Sequence, residues 1–356
     1  MKLLVAGGGT GGHVFPALAV AREWRKRAKG REVVIVGTER GFEARLAPAA
    51  GLPLETLRVG GLKGIGGARL ARHLALLPLG MWDALSILRR HRFCAALGLG
   101  GYASGPMILA AALAGVPSVV FEPNVQPGFT NRVLARLARR LAVAHEETAA
   151  LWGPKAVVTG CPVRDEFFDV PETQSRSPLR VLVTGGSQGS QAINRAMTAA
   201  LDRLAARKGE FSVVHQTGEK DLAEVRREYE RHTVAAEVRA FLDDMPARFA
   251  AADLIVCRSG AITVAEVCAA GRAALFIPFG AATDSHQMSN AREMERAGAG
   301  RVIAESELTG ERLAGEILSL IGNGAALREM ARRARTLGRP RASAAIVDLL
   351  EGVARP

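Results

Sequence analysis

The apolar residues of this chain fall into short unbroken runs, and most runs are followed by a stretch with helical periodicity. The runs predict strands at residues 3–6, 32–36, 54–59, 94–97, 118–121, 141–144, 157–159, 180–184, 211–215, 238–240, 254–257 and 274–278. The periodic stretches predict helices at residues 15–21, 42–49, 68–91, 130–140 and 191–207, and further helices near the end of the chain. Apolar strands that alternate with helices are typical of a parallel sheet covered on both faces, so the pattern predicts an α/β fold.

The chain is long enough for two such sheets, because its 356 residues exceed the size at which one hydrophobic core usually divides. Pro162, Pro171 and Pro178 fall in a stretch without sustained periodicity, which is typical of a linker. We expect a first domain, this linker, a second domain and a last helix that can return to the first domain, at residues 1–160, 161–179, 180–340 and 341–356.

Three glycine-rich turns stand where predicted strands end. Residues 7–12 and 185–189 each lead from a strand into a helix, and a third loop covers residues 98–106. The backbone N–H groups of such a turn lie at the positive end of the helix dipole, where they attract a phosphate group. One glycine turn also occurs in α/β folds that bind no phosphate, but its repetition half a chain later favours a protein that handles a diphosphate. Two doubly wound domains would bind it in a cleft between their facing loops.

The composition narrows the kind of anionic partner. Lys and Arg number 47 against 35 Asp and Glu, and the net charge of +12 suits nucleic acid, an acidic membrane or a phosphorylated substrate. The chain has two Tyr and three Trp and no array of arginine and aromatic residues, so we expect no nucleic-acid partner. Cys94, Cys161, Cys257 and Cys268 lie far apart without metal-ligand spacing, which indicates buried thiols in a reducing compartment.

Residues 93–121 contain no charged side chain, which raises the question of a transmembrane helix. Glycines and prolines interrupt this stretch, and their spacing predicts a strand, a glycine loop, a helix and a second strand instead. The N-terminal apolar run has the length of one strand and breaks directly into glycine, so we expect no export signal.

Four ordered motifs give the chain a family resemblance. They are Gly8-Gly9-Thr10-Gly11-Gly12-His13 with Pro16, the loop 98–106, Gly185-Gly186-Ser187-Gln188-Gly189, and Cys257-Arg258-Ser259-Gly260-Ala261-Ile262-Thr263-Val264-Ala265-Glu266. Together they resemble the MurG family, the lipid-linked N-acetylglucosaminyltransferases of peptidoglycan synthesis, over nearly the whole chain. The chain departs from the family at Cys161, where Asn is usual, and at Pro123-Asn124-Val125, where Gln-Asn-Gly is common.

The resemblance implies a GT-B architecture and an inverting glycosyltransferase. In that family, N-acetylglucosamine moves from UDP-N-acetylglucosamine to the 4-hydroxyl of the muramoyl sugar of lipid I, an undecaprenyl-diphosphoryl-muramoyl-pentapeptide, to give lipid II for cell-wall synthesis, cell shape and division. The implied partners are this donor, this acceptor and the anionic cytoplasmic face of the bacterial membrane. No cofactor and no metal ion is expected, because no Asp-x-Asp cluster follows a strand and helix N-termini with Arg164 can replace a cation.

The resemblance also assigns residues to the UDP-sugar. Arg164 matches an arginine that neutralises leaving-group charge, and Glu266 matches a carboxylate that accepts hydrogen bonds from the ribose hydroxyls. From the residues alone, Glu266 can equally be an acidic group that favours a helix N-terminus. Leu242 matches a main-chain contact to uracil, and Gln287 matches an amide contact to the sugar, with His286 as its alternative. The other expected donor residues are Thr10, Gly11, Gly12, Asn124, Ser187, Ala261, Ile262, Thr263, Val264 and Ala265.

The acceptor carries a second diphosphate, which the resemblance assigns to the loops of the first domain. The expected acceptor residues are Gly8, Gly9, Gly100, Gly101, Tyr102 and Ser104. His13 has the pKa range of a general base and matches a histidine of the family, but it can equally hold the loop or a ligand oxygen. Glu122 is the alternative base, whereas Asn124 can contact a sugar but cannot act as a base.

Apolar residues between arginines in the segment 69–92 form a candidate membrane surface. The expected patch consists of Leu74, Leu77, Leu79, Met81 and Trp82. Its aliphatic side chains would enter the acyl boundary while the arginines meet anionic headgroups. The alternative is an amphipathic helix pair that covers the sheet with its arginines in water. The resemblance favours the membrane surface, because these enzymes are peripheral on the cytoplasmic face.

Other functions are compatible with the same architecture. A UDP-N-acetylglucosamine 2-epimerase shares the two domains but needs acid and base carboxylates at the sugar C2 and no lipid site. A lipid galactosyltransferase shares the glycine loops but takes another acceptor. A non-enzymatic nucleotide-binding module would not release UDP from a UDP-sugar.

Overall fold

The computed structural model describes residues 1–8, 11–39, 41–60, 76–172, 177–280 and 286–355. The chain divides into two compact units. The first consists of Met1–Val163 with Arg341–Pro356, and the second consists of Arg164–Pro340.

The described residues of the first unit contain a parallel sheet of seven strands. These are β1 Lys2–Ala6, β2 Glu32–Gly37, β3 Leu54–Thr56, β4 Ala95–Gly98, β5 Ser118–Glu122, β6 Arg140–Val143 and β7 Ala156–Val158. They lie in the order β3-β2-β1-β4-β5-β6-β7, and neighbouring strands are parallel throughout. The direction of winding changes between β1 and β4, which is the place where doubly wound sheets bind ligands.

Helices cover both faces of this sheet. They are α1 Gly11–Arg27, α2 Glu43–Ala49, α3 Leu77–Arg90, α4 Gly101–Leu113, α5 Phe129–Leu134 and α6 Glu146–Ala150. Helices α3, α4 and α5 pack on one face through buried residues that include Ile87, Met107 and Leu134. Helix α1 packs against β1 and β2, and its Trp24 is fully buried. Leu3–Ala6 of β1 are all buried, and because successive strand residues point to opposite sides of a sheet, both faces of the sheet are covered.

The described residues of the second unit repeat the arrangement with six parallel strands in the order β10-β9-β8-β11-β12-β13. The strands are β8 Leu179–Thr184, β9 Phe211–Gln216, β10 Ala236–Arg239, β11 Leu254–Cys257, β12 Ala273–Phe276 and β13 Arg301–Val302. The helices are α7 Gln191–Leu204, α8 Leu222–Arg231, α9 Met245–Ala251, α10 Ala261–Ala270, α11 His286–Arg296, α12 Gly310–Ile321 and α13 Gly324–Thr336. Short 3₁₀ turns occur in this unit at Asp165–Phe167, Ala205–Arg207 and Glu305–Glu307, and in the first unit at Gly153–Lys155. The predicted α/β class with two doubly wound, Rossmann-like domains is therefore confirmed.

The last helix, α14 Ala342–Val353, belongs to the first unit. Its buried Ile346 and Leu350 lie on the side of the helix that contacts β4, β5 and α1. The α1 side chain Arg27 forms an ion pair with Glu351 at 3.0 Å, and Arg31 pairs with the same carboxylate at 2.5 Å. The chain thus crosses from the second unit to the first before Arg341.

Much of the expected linker is packed onto the second unit. The guanidinium of the fully buried Arg272 donates through Nη2 to the Pro171 carbonyl at 2.9 Å. Arg335 Nη2 donates to the Val170 carbonyl at 2.7 Å. Because these carbonyls are held by arginines of the second unit, residues 164–172 belong to that unit rather than to a free connection.

Several elements differ in extent from their predictions. The helix predicted over 130–140 ends at Leu134, because turns over 135–138 lead into β6, which already begins at Arg140. The helix over 191–207 ends as an α-helix at Leu204, and the strand over 54–59 spans only Leu54–Thr56. The strand β13 was not predicted, because two half-buried residues carry no apolar run. The first part of the segment 68–91 lies outside the described residues, and the rest forms α3.

The charge-free stretch 93–121 folds as β4, α4 and β5, as its glycine spacing predicts. Within the described parts of the chain, no helix combines the length and apolarity that crossing a bilayer requires.

Candidate functional site

In each unit a glycine turn follows the central strand of the sheet and leads into a helix. In the first unit the turn lies between β1 and α1, and in the second unit it lies between β8 and α7. The carboxyl ends of parallel strands lie at the same edge of a sheet. The turn after β1 therefore lies beside the loop after β4, and the turn after β8 lies beside the loop after β11.

In the first unit the two glycine turns touch each other beside His13. Gly100 and Gly101 have positive φ angles of 88° and 75°, which glycine adopts without strain. A Cβ on Gly101 would lie 2.5 Å from the Gly8 carbonyl oxygen, and one on Gly100 would lie 3.2 Å from His13 Nε2. Only glycine therefore permits the α4 N-terminus, the first turn and the imidazole to approach this closely.

His13 lies in the first turn of α1 and is half-buried. Burial lowers the pKa of the imidazole, and this effect exceeds the opposing ones of a hydrogen bond with the Gly8 backbone and of the negative charge of Glu43. The ring is consequently neutral at pH 7, which is the form that a general base requires.

The other expected acceptor residues have different environments. Tyr102 is half exposed on the first turn of α4. Ser104 is fully buried, and its hydroxyl lies 2.7 Å from the position of a Cβ on Gly98, so it faces the interior instead of a ligand. The predicted Gly9 and Thr10 lie outside the described residues, while Gly11 and Gly12 begin α1.

Glu122, the alternative base, is buried and its carboxylate is fully hydrogen-bonded within the protein. Its carboxylate, with 1% of the residue exposed, accepts hydrogen bonds from Asn124 N at 3.0 Å, Asn124 Nδ2 at 2.9 Å, Gly128 N at 3.0 Å and Asn131 Nδ2 at 2.9 Å. Four donors on two oxygens leave this carboxylate little capacity to accept a further hydrogen bond from a ligand hydroxyl. The arrangement fixes the loop after β5 and also uses one amide donor of Asn124.

Glu43 is a buried carboxylate that sequence reasoning missed. Its Oε1 accepts hydrogen bonds from Thr38 N at 2.8 Å and Thr38 Oγ1 at 2.9 Å. A Cβ on Gly8, Gly37 or Gly41 would lie 2.1 to 2.3 Å from atoms of its side chain. Three scattered glycines were the only signal, because an acidic residue in the first turn of a helix is usually exposed.

In the second unit the turn 185–189 is held closely against the end of β9. Gly186 and Gly189 have φ angles of 92° and 73°, and a Cβ on Gly189 would lie 1.9 Å from the Thr217 carbonyl oxygen. Gln216 Nε2 donates to the Gly186 carbonyl at 2.7 Å. Ser187 is exposed at the tip, where its hydroxyl can reach a ligand.

The loop after β11 presents a helix N-terminus. Gly260, in extended conformation, precedes α10, and the first N–H paired within the helix is that of Val264, bonded to the Gly260 carbonyl. The N–H groups of the half-buried residues 261–263 therefore have no partner within the helix and can bind an anion. Of the expected donor residues in this helix, Val264 is buried, so its side chain is part of the core.

Glu266, one turn into α10, faces Arg164. Arg164 Nη2 lies 4.0 Å from Glu266 Oε1, and the side chains are 26% and 14% exposed. Burial raises the pKa of the Glu266 carboxyl to about 7, although the positive charge of Arg164 lowers it. A carboxylate in so dry a site is well suited to accept hydrogen bonds from ligand hydroxyls.

Arg258, quoted in the fourth motif but not predicted as a site residue, joins three elements. Its Nη2 donates to Ser190 Oγ at 2.7 Å, and its Nη1 pairs with Glu305 at 2.6 Å and donates to the Ile277 carbonyl at 3.1 Å. Ser190 is the N-cap of α7. Arg258 therefore fixes the end of the glycine turn to the ends of β11 and β12.

The last two expected donor contacts differ in kind. Gln287, in the first turn of α11, accepts the Phe279 N–H through Oε1 at 2.9 Å, so its NH₂ group is the part that remains for a sugar. Its alternative, His286, is the first residue of the same helix. The Leu242 side chain is 4% exposed, which leaves its main chain for contact with a base.

Two Rossmann-like domains with glycine turns at the changes of winding are typical of nucleotide-binding proteins. Comparison with known protein families shows which family this chain belongs to. Residues 3–143 match the glycosyltransferase family 28 N-terminal domain, and residues 180–346 match the glycosyltransferase family 28 C-terminal domain. The chain belongs to glycosyltransferase family 28.

Individual relatives are similar to this chain over nearly its full length and nearly all of their own. The UDP-N-acetylglucosamine--N-acetylmuramyl-(pentapeptide) pyrophosphoryl-undecaprenol N-acetylglucosamine transferase of Myxococcus xanthus is 46% identical over 98% of this chain and 92% of its own length. The crystal structure of Acinetobacter baumannii MurG has a TM-score of 0.80 and 32% identity, with 99% of both chains covered. The UDP-GlcNAc 2-epimerase of Neisseria meningitidis, bound to UDP-GlcNAc, has a TM-score of 0.70 at 16% identity over 99% of this chain and all of its own, a likeness of fold alone.

We predict that Arg164→Gln raises the pKa of the Glu266 carboxyl above its value of about 7, because it removes the positive charge that lowers this pKa. Carbon-detected NMR titration of labelled glutamate measures the change. Arg248→Gln is the matched control, because Arg248 pairs with Glu237 and Asp244 instead. An unchanged or lower pKa in Arg164→Gln would mean that the two groups do not interact.

Proposed function

We propose that this glycosyltransferase transfers N-acetylglucosamine from UDP-N-acetylglucosamine to the muramoyl 4-hydroxyl of lipid I, with inversion at the anomeric carbon. The name of the 46% identical Myxococcus xanthus relative supports the donor and the acceptor. The observation that carries the proposal is the donor half-site of the second unit, where a glycine turn, a helix N-terminus and the Arg164–Glu266 pair occur in one domain.

The second unit would hold the nucleotide. Glu266 accepts hydrogen bonds from the ribose hydroxyls, and the N-terminus of α10 with Ser187 and the turn 185–189 binds the diphosphate. Arg164 offsets the charge that develops on UDP as it leaves. The Leu242 main chain contacts uracil, and the Gln287 amide contacts the sugar.

The first unit would hold the acceptor. The turns that meet at Gly8, Gly100 and Gly101 present helix N-termini to the lipid diphosphate. His13, neutral because burial lowers its pKa, takes the proton of the acceptor hydroxyl as that oxygen bonds to the anomeric carbon. The bond between that carbon and the diphosphate breaks, and UDP leaves with the electron pair. The four hydrogen bonds on Glu122 favour His13 over Glu122 as the base.

We propose further that the enzyme binds the anionic cytoplasmic membrane surface through the face of the first unit formed by α3, α4 and α5. Exposed apolar residues on this face are Leu77, Leu79, Trp82, Leu109, Leu113, Phe129 and Val133. Exposed arginines beside them are Arg89, Arg90, Arg132, Arg136 and Arg139. Apolar side chains ringed by arginines suit an interface of acyl chains and anionic headgroups.

Met81 is half-buried and packs against the core of the first unit, because its position on α3 points towards the sheet, so it does not belong to the exposed patch. Leu74 lies outside the described residues.

The activity itself is tested by UDP release from UDP-N-acetylglucosamine with and without a muramoyl diphosphoryl lipid. We expect release that depends on the lipid and forms a disaccharide product. Epimerised sugar formed without the lipid would instead indicate an epimerase. Tight UDP binding without any turnover would indicate a binding module.

For the base, we expect His13→Ala to lower kcat by about 10²–10⁴-fold and to change the donor KM far less, because the donor is held in the other unit. In the wild type, kcat should fall only as pH drops below about 6.5, since the lowered pKa keeps His13 deprotonated above it. Steady-state kinetics with a soluble acceptor measure both. The control is His232→Ala in the second unit, where the imidazole lies 2.8 Å from Asp202. A wild-type kcat in His13→Ala across pH 6–9 would exclude His13 as base.

For the membrane, we expect the double variant Leu79→Ser, Trp82→Ser to bind anionic vesicles about tenfold or more weakly than wild type, because two exposed apolar side chains lose their place in the acyl boundary. Sedimentation with phosphatidylglycerol vesicles at low salt measures this. Leu151→Ser, Leu337→Ser removes exposed apolar side chains elsewhere and should bind as wild type does. Equal binding of wild type and the first variant would show that α3 is not the docking surface.

A further inference from the structure

A chain of buried polar side chains runs behind the glycine turn of the second unit. Tyr229 Oη lies 3.2 Å from His215 Nδ1, and His215 Nε2 lies 3.1 Å from Asn194 Oδ1. Asn194 Nδ2 donates to the Thr217 carbonyl at 2.9 Å and to Asp221 Oδ2 at 2.8 Å. The three hydrogen-bonded side chains come from different elements: His215 from β9, Tyr229 from α8 and Asn194 from the first turn of α7. His215 is fully buried.

The acceptors at one end fix every proton in the chain. A carbonyl and a carboxylate face one side of the Asn194 amide, so its NH₂ lies there and its Oδ1 must accept from His215 Nε2–H. Nδ1 of His215 is then an acceptor, and the Tyr229 hydroxyl donates to it. Burial lowers the pKa of His215 to about 3, so the ring stays neutral and keeps this single arrangement.

The other end of the chain is the backbone that supports the turn. The Thr217 carbonyl that accepts from Asn194 is the same group that a Cβ on Gly189 would approach to 1.9 Å. The preceding residue, Gln216, donates to the Gly186 carbonyl. Asn194 itself stands four residues after Ser190, the N-cap of α7, so it links the start of the helix to the strand end beneath the turn.

We propose that Asn194 and His215 are positioning residues that set the turn 185–189 in the conformation that receives the donor diphosphate. The inference rests on the proposed function, in which this turn binds that diphosphate. Neither side chain touches the ligand. Their effect reaches the ligand through the Thr217 carbonyl and the α7 N-terminus. It concerns the phosphates rather than the uridine, which is assigned to Glu266 and the Leu242 main chain.

The test compares UDP with uridine by calorimetric titration. Asn194→Ala should weaken UDP binding about tenfold or more and leave uridine binding unchanged, because a buried group loses its partners where the turn is supported. His215→Phe should weaken UDP binding less, and Tyr229→Phe, the mildest variant, least, since each is one step further from the turn. Met197→Ala, on the buried face of the same helix, is the control: it should lower Tm without changing the UDP affinity.

Equal losses for UDP and uridine, or UDP losses that follow Tm as in Met197→Ala, would overturn the proposal. Nitrogen-15 NMR of the wild type gives a test that does not depend on how the variants fold. His215 should be the neutral Nε2–H tautomer from pH 5 to 8. A ring that titrates in this range, or one protonated at Nδ1, would also overturn the proposal. A wild type that binds uridine and UDP with equal affinity would contradict the proposed diphosphate site itself, whereas normal wild-type preference for UDP with unchanged variants contradicts this inference alone.

Discussion

Close contact between a glycine and the backbone of a neighbouring segment constrains both units of this enzyme. At Gly101 against the Gly8 carbonyl, and at Gly189 against the Thr217 carbonyl, a side chain would occupy the space of a neighbouring backbone oxygen. The contacts bring a strand end and a helix N-terminus together, and the first N–H groups of a helix have no partner within it. The anion sites proposed for both units depend on this packing. Buried carboxylates and polar side chains support the turns from the side of the core.

Charge within the units is arranged around those turns. In the second unit, Arg164 lies near a Glu266 carboxyl whose pKa burial raises to about 7, which places a cation beside a hydrogen-bond acceptor, as the proposed nucleotide site requires. In the first unit, burial outweighs the negative charge of Glu43 and keeps His13 neutral. The fully bonded Glu122 shows the opposite use of a carboxylate, which is to stabilise a loop.

Much of this could be predicted from sequence, because apolar runs followed by glycine turns determine both the parallel sheets and the edges at which ligands bind. The strand over 254–257 matches the structure at both ends. Side-chain roles were less accessible. Whether Glu122 and Ser104 face a ligand or the interior depends on how the chain folds back to bring Asn131 to Glu122 and Gly98 to Ser104, which the linear pattern does not show. Asn194 and His215 gave no local signal, since their contacts form only when separate segments meet.

The central claim is that the second unit binds the donor nucleotide through Glu266. Calorimetric titration of UDP into wild type and Glu266→Gln at pH 8, where the carboxyl is ionised, tests it most directly. Loss of hydrogen bonds to a charged acceptor predicts binding about 10–100-fold weaker in the variant. The exposed Glu329→Gln serves as control and should bind UDP as wild type does. Unchanged UDP affinity in a folded Glu266→Gln protein would contradict the account.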